Sequence, residues 1–286
     1  MKILLLLLFP LITHSQIIYK GNIVNKITKE KIPFATVGLT KENIGTNADE
    51  DGKFSLTSKK YVADSLVISC VGYKTSKFSV DNLPSNLQFE ISERQIELRT
   101  IIVKNNFKSS YTLNDYSNCG FNSYTSSGSV TQIAQHLQSP IANSLLSEIN
   151  ICKEADNSLF RIRVYDMDPI SGKPSFDLAD TIIEVKSGKR HVKINLEKYN
   201  IVIPEKDFFV GIEWLYIPFN ENNVKGKKDG QKINYSRYNP FIFFRNRGCN
   251  KDNLEKSLEA WQLDFRRKWI RMYQDWVFLI SATVKY

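Results

Sequence analysis

The chain has 286 residues, 42% of them hydrophobic and 24% charged, with a formal net charge of +9. That length gives one or two ordinary domains, and that balance excludes an intrinsically disordered chain.

Met1-Lys2 followed by the apolar run Ile3 to Phe9, then Pro10 and Thr13-His14-Ser15, has the layout of a secretory leader. Residues 1–15 are therefore expected to be a cleaved signal peptide, with Gln16 as the new first residue. The apolar run falls far short of the ~20 residues a spanning helix needs, and no later segment is apolar enough to span as a helix. The expected location is the periplasm or the outer-membrane or cell-surface face of the envelope.

Ile17 to Lys26 reads as a first strand. Ala35 to Leu39 follows with strand-like residues, and Lys53 to Thr57 alternates, placing Phe54 and Leu56 on one face. Asn47 to Gly52 between them is rich in turn formers. Ser65 to Val71 is nearly continuous in apolar character, as in a strand buried on both faces, and stops at Gly72-Tyr73. Phe78 to Val80, Leu87 to Ile91 and Glu97 to Val103 are further short β-prone segments.

This stretch resembles the carboxypeptidase-like regulatory domain, a transthyretin-like β-sandwich. The resemblance rests on Gly21-Asn22-Ile23-Val24, the IPFATV segment Ile32 to Val37, the turn Asn47 to Phe54 and the closing Ser69 to Tyr73. It covers residues 19 to 103. Such domains often begin exported proteins of the Bacteroidetes type, TonB-dependent receptors among them. The resemblance implies an accessory domain without chemistry of its own.

Residues 104–128 are dominated by Asn, Ser, Tyr and Gly and read as a linker between domains 16–103 and 129–286. In the second domain Val130 to Leu137 is a mixed strand signal, and Leu145 to Cys152 leads on to the next segment. In Leu159 to Tyr165, Phe160, Ile162 and Val164 alternate with Arg161, Arg163 and Tyr165, as in a half-buried strand. Thr181 to Val185, His191 to Leu196 and Phe208 to Tyr216 follow at strand length, and Val277 to Tyr286 reads as a closing strand. Short strands at this spacing suggest an antiparallel sandwich, and the run from Phe160 to Leu215 resembles the jelly-roll-like modules of exported Bacteroidetes proteins. The expected fold is thus all-β, with a transthyretin-like sandwich followed by a jelly-roll-like one. Before the closing strand, Asp252 to Glu255 has the form of a capping box, and Leu254, Leu258, Trp261 and Phe265 fall at helical spacing, which suggests a short amphipathic helix.

Enzymatic signatures are missing. Beyond the leader only His136 and His191 remain, neither followed by Glu at the third position, so the ligand set of a zinc carboxypeptidase is absent. No nucleophile elbow accompanies either histidine, and no Walker motif or strand-borne GxGxxG is present. No catalytic residue and no cofactor is expected. Cys70, Cys119, Cys152 and Cys249 lack the CxxC spacing of a zinc site. One or two disulfides and free thiols both stay open, and Cys70 reads as core packing.

Two oxygen-rich loops are weak metal candidates. Asn47, Asp49, Asp51 and Gly52 imitate the start of an EF-hand loop, but the twelfth position is Ser58, and a hairpin turn explains them better. Asp166, Asp168, Asp177 and Asp180 share one loop, for which Ca²⁺ or a solvated turn are the two readings. The basic, aromatic C-terminal stretch supplies the ligand-binding candidates: Trp261, Trp269, Tyr273 and Trp276, with Arg266, Arg267 and Arg271. They are either a sugar-stacking platform or sandwich core with a cationic rim. Nucleic acid is set aside for an exported protein.

The reading that emerges is a non-catalytic, exported binding or accessory protein that contacts an envelope protein or glycan through sandwich loops, with peripheral outer-membrane association as one option. The alternative is a small outer-membrane β-barrel carrying a periplasmic regulatory-like domain, for which 158 residues after the linker leave room for eight strands.

Overall fold

The computed structural model describes residues 16–59, 61–94, 107, 109–116, 120, 122–228, 231–246, 258–272 and 276–286. The leader, the β-prone segment 97–103 and the capping box 252–255 lie outside the described residues.

The first unit contains β1 (Ile17–Asn25), β2 (Thr36–Leu39), β3 (Ile44–Asn47), β4 (Lys53–Ser58), β5 (Ser65–Ser69), β6 (Ser76–Ser79) and β7 (Gln88–Ile91). They form two stacked sheets, ordered β4-β1-β7 and β3-β2-β5-β6. All pairings are antiparallel except β1 with β7. Alternation does the sorting: Phe54 and Leu56 from β4, Val37 and Leu39 from β2, Leu66 and Ile68 from β5, and Phe89 and Ile91 from β7 fill one core. Phe89 sits edge-on to both Phe54 (5.3 Å) and Phe78 (5.1 Å). The turn before β4 is organised by Asp49, whose Oδ1 accepts the Asp51 and Lys53 amides, and Gly52 takes φ 73°. Asp51 pairs with Lys31 at 2.8 Å. The loop that imitates an EF-hand is therefore a hairpin turn.

The second unit runs in order β8 (Ser110–Leu113), β9 (Asn122–Ser126), β10 (Val130–Gln138), β11 (Ser144–Cys152), β12 (Ser158–Met167), β13 (Pro174–Asp177), β14 (Ile183–Ser187), β15 (His191–Asn195), β16 (Val202–Ile203), β17 (Asp207–Trp214), β18 (Glu221–Lys228), β19 (Gln231–Asn246), β20 (Ala260–Asp264), β21 (Trp269–Arg271), β22 (Trp276–Phe278) and β23 (Ile280–Lys285). One sheet has the order β13-β12-β17-β10-β20-β21, with β14 also on β12. A second has β15-β11-β23-β8, with β16 on β11. A third has β18-β19-β22, with β9 on β19. The first two enclose a core that includes Ile133, Leu146, Ile149, Phe160, Ile162, Val164, Val210, Ile212, Trp214, Ile280 and Val284. Among the described residues the sheets are open and stacked on apolar side chains, which is a sandwich arrangement rather than a closed eight-stranded barrel. No helix among the described residues is long and apolar enough to cross a membrane.

Three expectations are corrected. The stretch 104–128 contains β8 and β9, which pair with β23 and β19, so the second unit starts earlier than residue 129. Tyr and Thr suit a pleated surface once neighbouring strands offer partners, and composition does not reveal the partners. Residues 260–264 form a strand, not a helix: pairing with β10 on one side and β21 on the other overrides the helical spacing of Leu258, Trp261 and Phe265. The closing segment splits at Leu279, with β22 in one sheet and β23 in another.

The two units are docked together. Gly38 and Gly45 face each other across β2 and β3, and Phe265, on the turn after β20, occupies the space their missing side chains leave. A Cβ at Gly38 would lie 2.9 Å from the Phe265 ring, and one at Gly45 would lie 2.1 Å from it. Asn43 Oδ1 accepts the Phe265 amide (3.0 Å), and Asn47 Oδ1 accepts the Tyr216 amide (2.8 Å). Phe34 packs with Leu215 and Ile217 in a small apolar cluster of its own. This docking covers the outer face of β5, where Val67 is buried, which is why that strand is apolar on both sides. From the second unit β18 and β19 project as a two-stranded ribbon, with Lys225, Lys227 and Lys232 exposed on one face.

Removing a buried phenylalanine costs the transfer free energy plus a cavity. Phe265→Ala is therefore expected to lower the unfolding free energy by about 3–5 kcal/mol. Chemical denaturation would measure it, and a loss below about 1 kcal/mol would contradict a seated ring.

Candidate functional site

The outer face of the β12–β17 pair is charged, and the first unit covers part of it. Arg161 is fully buried. Its guanidinium donates to the carbonyls of Phe34 (3.1 Å) and Pro33 (3.3 Å) across the seam and to Glu184 (3.3 Å). Arg163 bridges two carboxylates, Asp177 at 2.5 Å and Glu213 at 2.8 Å, and Glu213 also accepts the Thr36 hydroxyl of the first unit (3.3 Å). Burial pushes the Glu213 carboxyl up, but the neighbouring Arg163 and Arg161 guanidinium groups outweigh burial and hold it below the usual range. For Asp177 burial wins and the carboxyl is raised.

Beside this network lies an open cleft of about 470 Å³. One wall is the loop between β12 and β13. Its turn is fixed by Asp168, whose Oδ1 accepts the amides of Ile170 (3.1 Å) and Ser171 (2.7 Å), and Gly172 takes φ 67°. These hydrogen bonds, that of the Ser171 amide foremost, hold the Asp168 carboxyl below its ordinary value. The facing wall is the turn between β20 and β21. There Asp264 pairs with Arg266 at 2.6 Å and accepts the Lys268 amide (3.2 Å). Arg267 stands at φ 62°, the left-handed region that costs a non-glycine residue about 1 kcal/mol or more. Lys173, Arg267, Lys268 and Trp269 line the cleft. Trp269 is half-buried, edge-on to Tyr165 at 5.5 Å. The Tyr165 hydroxyl donates to Gln132 (2.5 Å), and burial pushes its pKa up.

Arg267 also lines a second, smaller cavity of about 90 Å³ between the two units. The Ser69–Tyr73 segment of the first unit forms one side, and Arg163, Asp177 and Glu213 the other. Arg94 closes it, with its guanidinium 4.8 Å from the centre of the Phe176 ring. Cys70 is a free cysteine on this wall, and burial pushes its thiol up, so it is not poised as a thiolate.

The first unit is a two-sheet sandwich with one parallel pair, β1 with β7, and it contributes one wall of the smaller cavity. Residues 19–103 match the CarboxypepD_reg-like domain. No curated protein matches the chain. Among solved structures, it is similar to the clostridial cysteine protease Cwp84 after propeptide cleavage (13% identity, TM-score 0.38, covering 88% of this chain and 65% of that one). The cysteine protease and lectin-like domains of Cwp84 from Clostridium difficile match at 10% identity and TM-score 0.36, over 88% of this chain and 58% of that one. The major pilin subunit BcpA of Bacillus cereus matches at 9% identity and TM-score 0.20, over 92% and 69%. The chain thus spans less than two thirds of the two Cwp84 chains.

The structure brings Trp269 and Arg267 together in the cleft and separates the other sequence candidates. Trp261 is buried behind Trp269 with Ala134, Tyr165 and Phe209, and its indole Nε1 has no hydrogen-bond partner. Trp276 stacks on Phe244 at 4.2 Å in the third sheet. Arg266 is tied to Asp264, and Arg271 pairs with Glu259 at 2.7 Å. Tyr273 lies outside the described residues. The four aspartates of the Ca²⁺ candidate loop are put to separate uses: Asp166 accepts the Phe176 amide, Asp168 caps a turn, Asp177 pairs with Arg163, and Asp180 is exposed. Among the described residues no three His, Cys, Asp or Glu side chains are placed to hold a metal. His136 is buried against Phe209, 2.9 Å from Asp207, and His191 is on β15. Cys152 is disulfide-bonded.

Arg94, Lys173 and Lys268 were not singled out from the sequence. Arg161 and Arg163 read there as the wet side of a half-buried strand. The available signal was Glu213 at the matching place in a second apolar strand, since charges on two pairing strands point to an ion-paired, covered face.

Because the folded-state pKa of Glu213 is depressed, its stabilising contribution is full above the ordinary glutamate value and is lost as pH falls through the folded value. The stability gap between wild type and Glu213→Gln is therefore expected to shrink as pH falls below about 4.5. Urea unfolding at pH 7, 5, 4 and 3 measures it, and a gap that widens on acidification would contradict the assignment.

Proposed function

We propose that the protein is an exported, non-catalytic binding protein of the cell envelope. In this reading the CarboxypepD_reg-like domain is a docked scaffold, and the cleft around Trp269 receives a glycan. The observation that carries the reading is the cleft itself. A half-buried indole, held edge-on by Tyr165, sits among Lys173, Arg267 and Lys268 between two turns of the second sandwich. An aromatic face with few, fixed polar groups around it suits a sugar ring. The leader-like first 15 residues support export, and the disulfide at Cys152 fits an oxidising compartment.

A protein partner is the second reading, favoured by the projecting β18–β19 ribbon. Among the described residues β18 pairs only with β19, which leaves an open strand edge for augmentation.

A glycan and peptidoglycan binding screen on the chain from Gln16 tests the proposal. Trp269→Ala is expected to weaken binding about tenfold or more with little change in melting temperature. Trp261→Ala, which removes a buried ring, is expected instead to cost about 3–5 kcal/mol of stability. Failure to bind any saccharide, or a Trp269→Ala protein that binds like wild type, would remove the glycan reading.

A further inference from the structure

We infer that the small cavity behind Arg267 is an anion subsite, which takes a carboxylate, sulfate or phosphate group of the ligand held in the Trp269 cleft. The inference extends the glycan reading above and rests on it for the rest of the ligand.

The ion pairs around the cavity leave cations over. Its two carboxylates, Asp177 and Glu213, are both engaged by Arg163. Arg94 and Arg267 also line it, and among the described residues neither pairs with a carboxylate. Arg267 donates only to the Ser69 hydroxyl, at 3.3 Å. Arg94 rests on the Phe176 ring, and its Nε is buried without a hydrogen-bond partner. Three guanidinium groups therefore face two carboxylates, leaving one positive charge in excess.

That excess sits at the point where the cavity opens to solvent. The Arg163 guanidinium across the cavity repels Arg267 and Glu213 attracts it, and the Arg267 side chain reaches solvent at the cavity mouth. Arg267, exposed at the cavity mouth and held at left-handed φ, and the unpartnered Nε of Arg94 inside both offer donors to an oxyanion that enters. The space of about 90 Å³ corresponds to roughly three water molecules, enough for one carboxylate, sulfate or phosphate group and too little for a sugar ring. Arg267 lines both the cavity and the cleft, so a ring against Trp269 and an acidic substituent behind Arg267 belong to one ligand. At the entrance Lys173 and Lys268 stand with one carboxylate, Asp168, so the cations outnumber it. The engaged carboxylates of the inner wall turn away a second negative charge, which favours a singly charged group and points to a uronic-acid-type sugar before a phosphorylated one.

The test has two arms on the full chain from Gln16. In the first, acetate, sulfate and inorganic phosphate are titrated at constant ionic strength with melting temperature as the readout. A saturable rise is expected for wild type, reduced in Arg94→Gln and absent in Arg267→Gln. Arg267→Lys, which keeps the charge and loses the forked donor, separates loss of the anion from loss of fold. No saturable rise, or the same rise in Arg267→Gln, overturns the subsite. In the second arm, calorimetry compares a neutral oligosaccharide with its uronic-acid-bearing and sulfated counterparts. An advantage of about tenfold for the uronic acid is expected, abolished in Arg267→Gln with the neutral affinity unchanged. Equal affinities overturn the subsite and leave the Trp269 reading standing. Small anions that bind while no oligosaccharide does leave the subsite standing and remove the glycan reading.

Discussion

The site depends on one act of packing, the seating of Phe265 between Gly38 and Gly45. A single β-carbon on either glycine would occupy the place of the ring. Because β2 and β3 present no side chains there, the turn after β20 comes close enough for Asn43 to accept its backbone amide. The same turn carries Arg267 and, just beyond, Trp269. The contact that joins the two sandwiches therefore also sets the position of the cleft, and the first domain serves as the wall that fixes the turn rather than as a tethered module.

Electrostatics follows from that docking. A strand face bearing Arg161 and Arg163 would be an ordinary wet surface if the second sandwich stood alone. Covered by the Pro33–Thr36 segment, it becomes a low-dielectric seam in which each charge requires a partner. Arg161 finds backbone carbonyls and Glu184, and Arg163 finds Asp177 and Glu213. Glu213 has two guanidinium groups beside it, Arg163 and Arg161, which outweigh burial and lower its pKa, whereas Asp177 has Arg163 alone and burial raises it. Arg94 and Arg267 stand where the pairing runs out, at the point where the seam opens to solvent.

The aromatic residues of the C-terminal stretch divide between packing positions and one half-buried cleft position. Trp261 and Trp276 are packing residues, because their strands turn them into the Tyr165–Phe209 cluster and onto Phe244 respectively. Trp269 is held at a rim by the short strand that contains it. Spacing along the chain could not separate these cases, since β20, β21 and β22 join two different sheets and face different neighbours. The helical spacing of Leu258, Trp261 and Phe265 was misleading for a related reason: 260–264 pairs on both edges, and strand pairing outweighs a three- or four-residue coincidence.

By itself the sequence determined the all-β class, the domain at residues 19–103, the inward-facing residues of most strands and the absence of recognisable catalytic motifs. These are local properties, carried by alternation, by turn residues such as Asp49 and Gly52, and by the identities of neighbouring side chains. Tertiary structure decided which charged residues are buried, that Gly38 and Gly45 form a socket, that part of the apparent linker is strand, and that Arg267 lines a cleft with Trp269 and a cavity with Arg94. Those outcomes depend on contacts between positions some 170 to 220 residues apart, such as Asn47 with Tyr216 and Asn43 with Phe265. A chain's local pattern says which face of a strand is apolar; only the docked fold says what covers the other face.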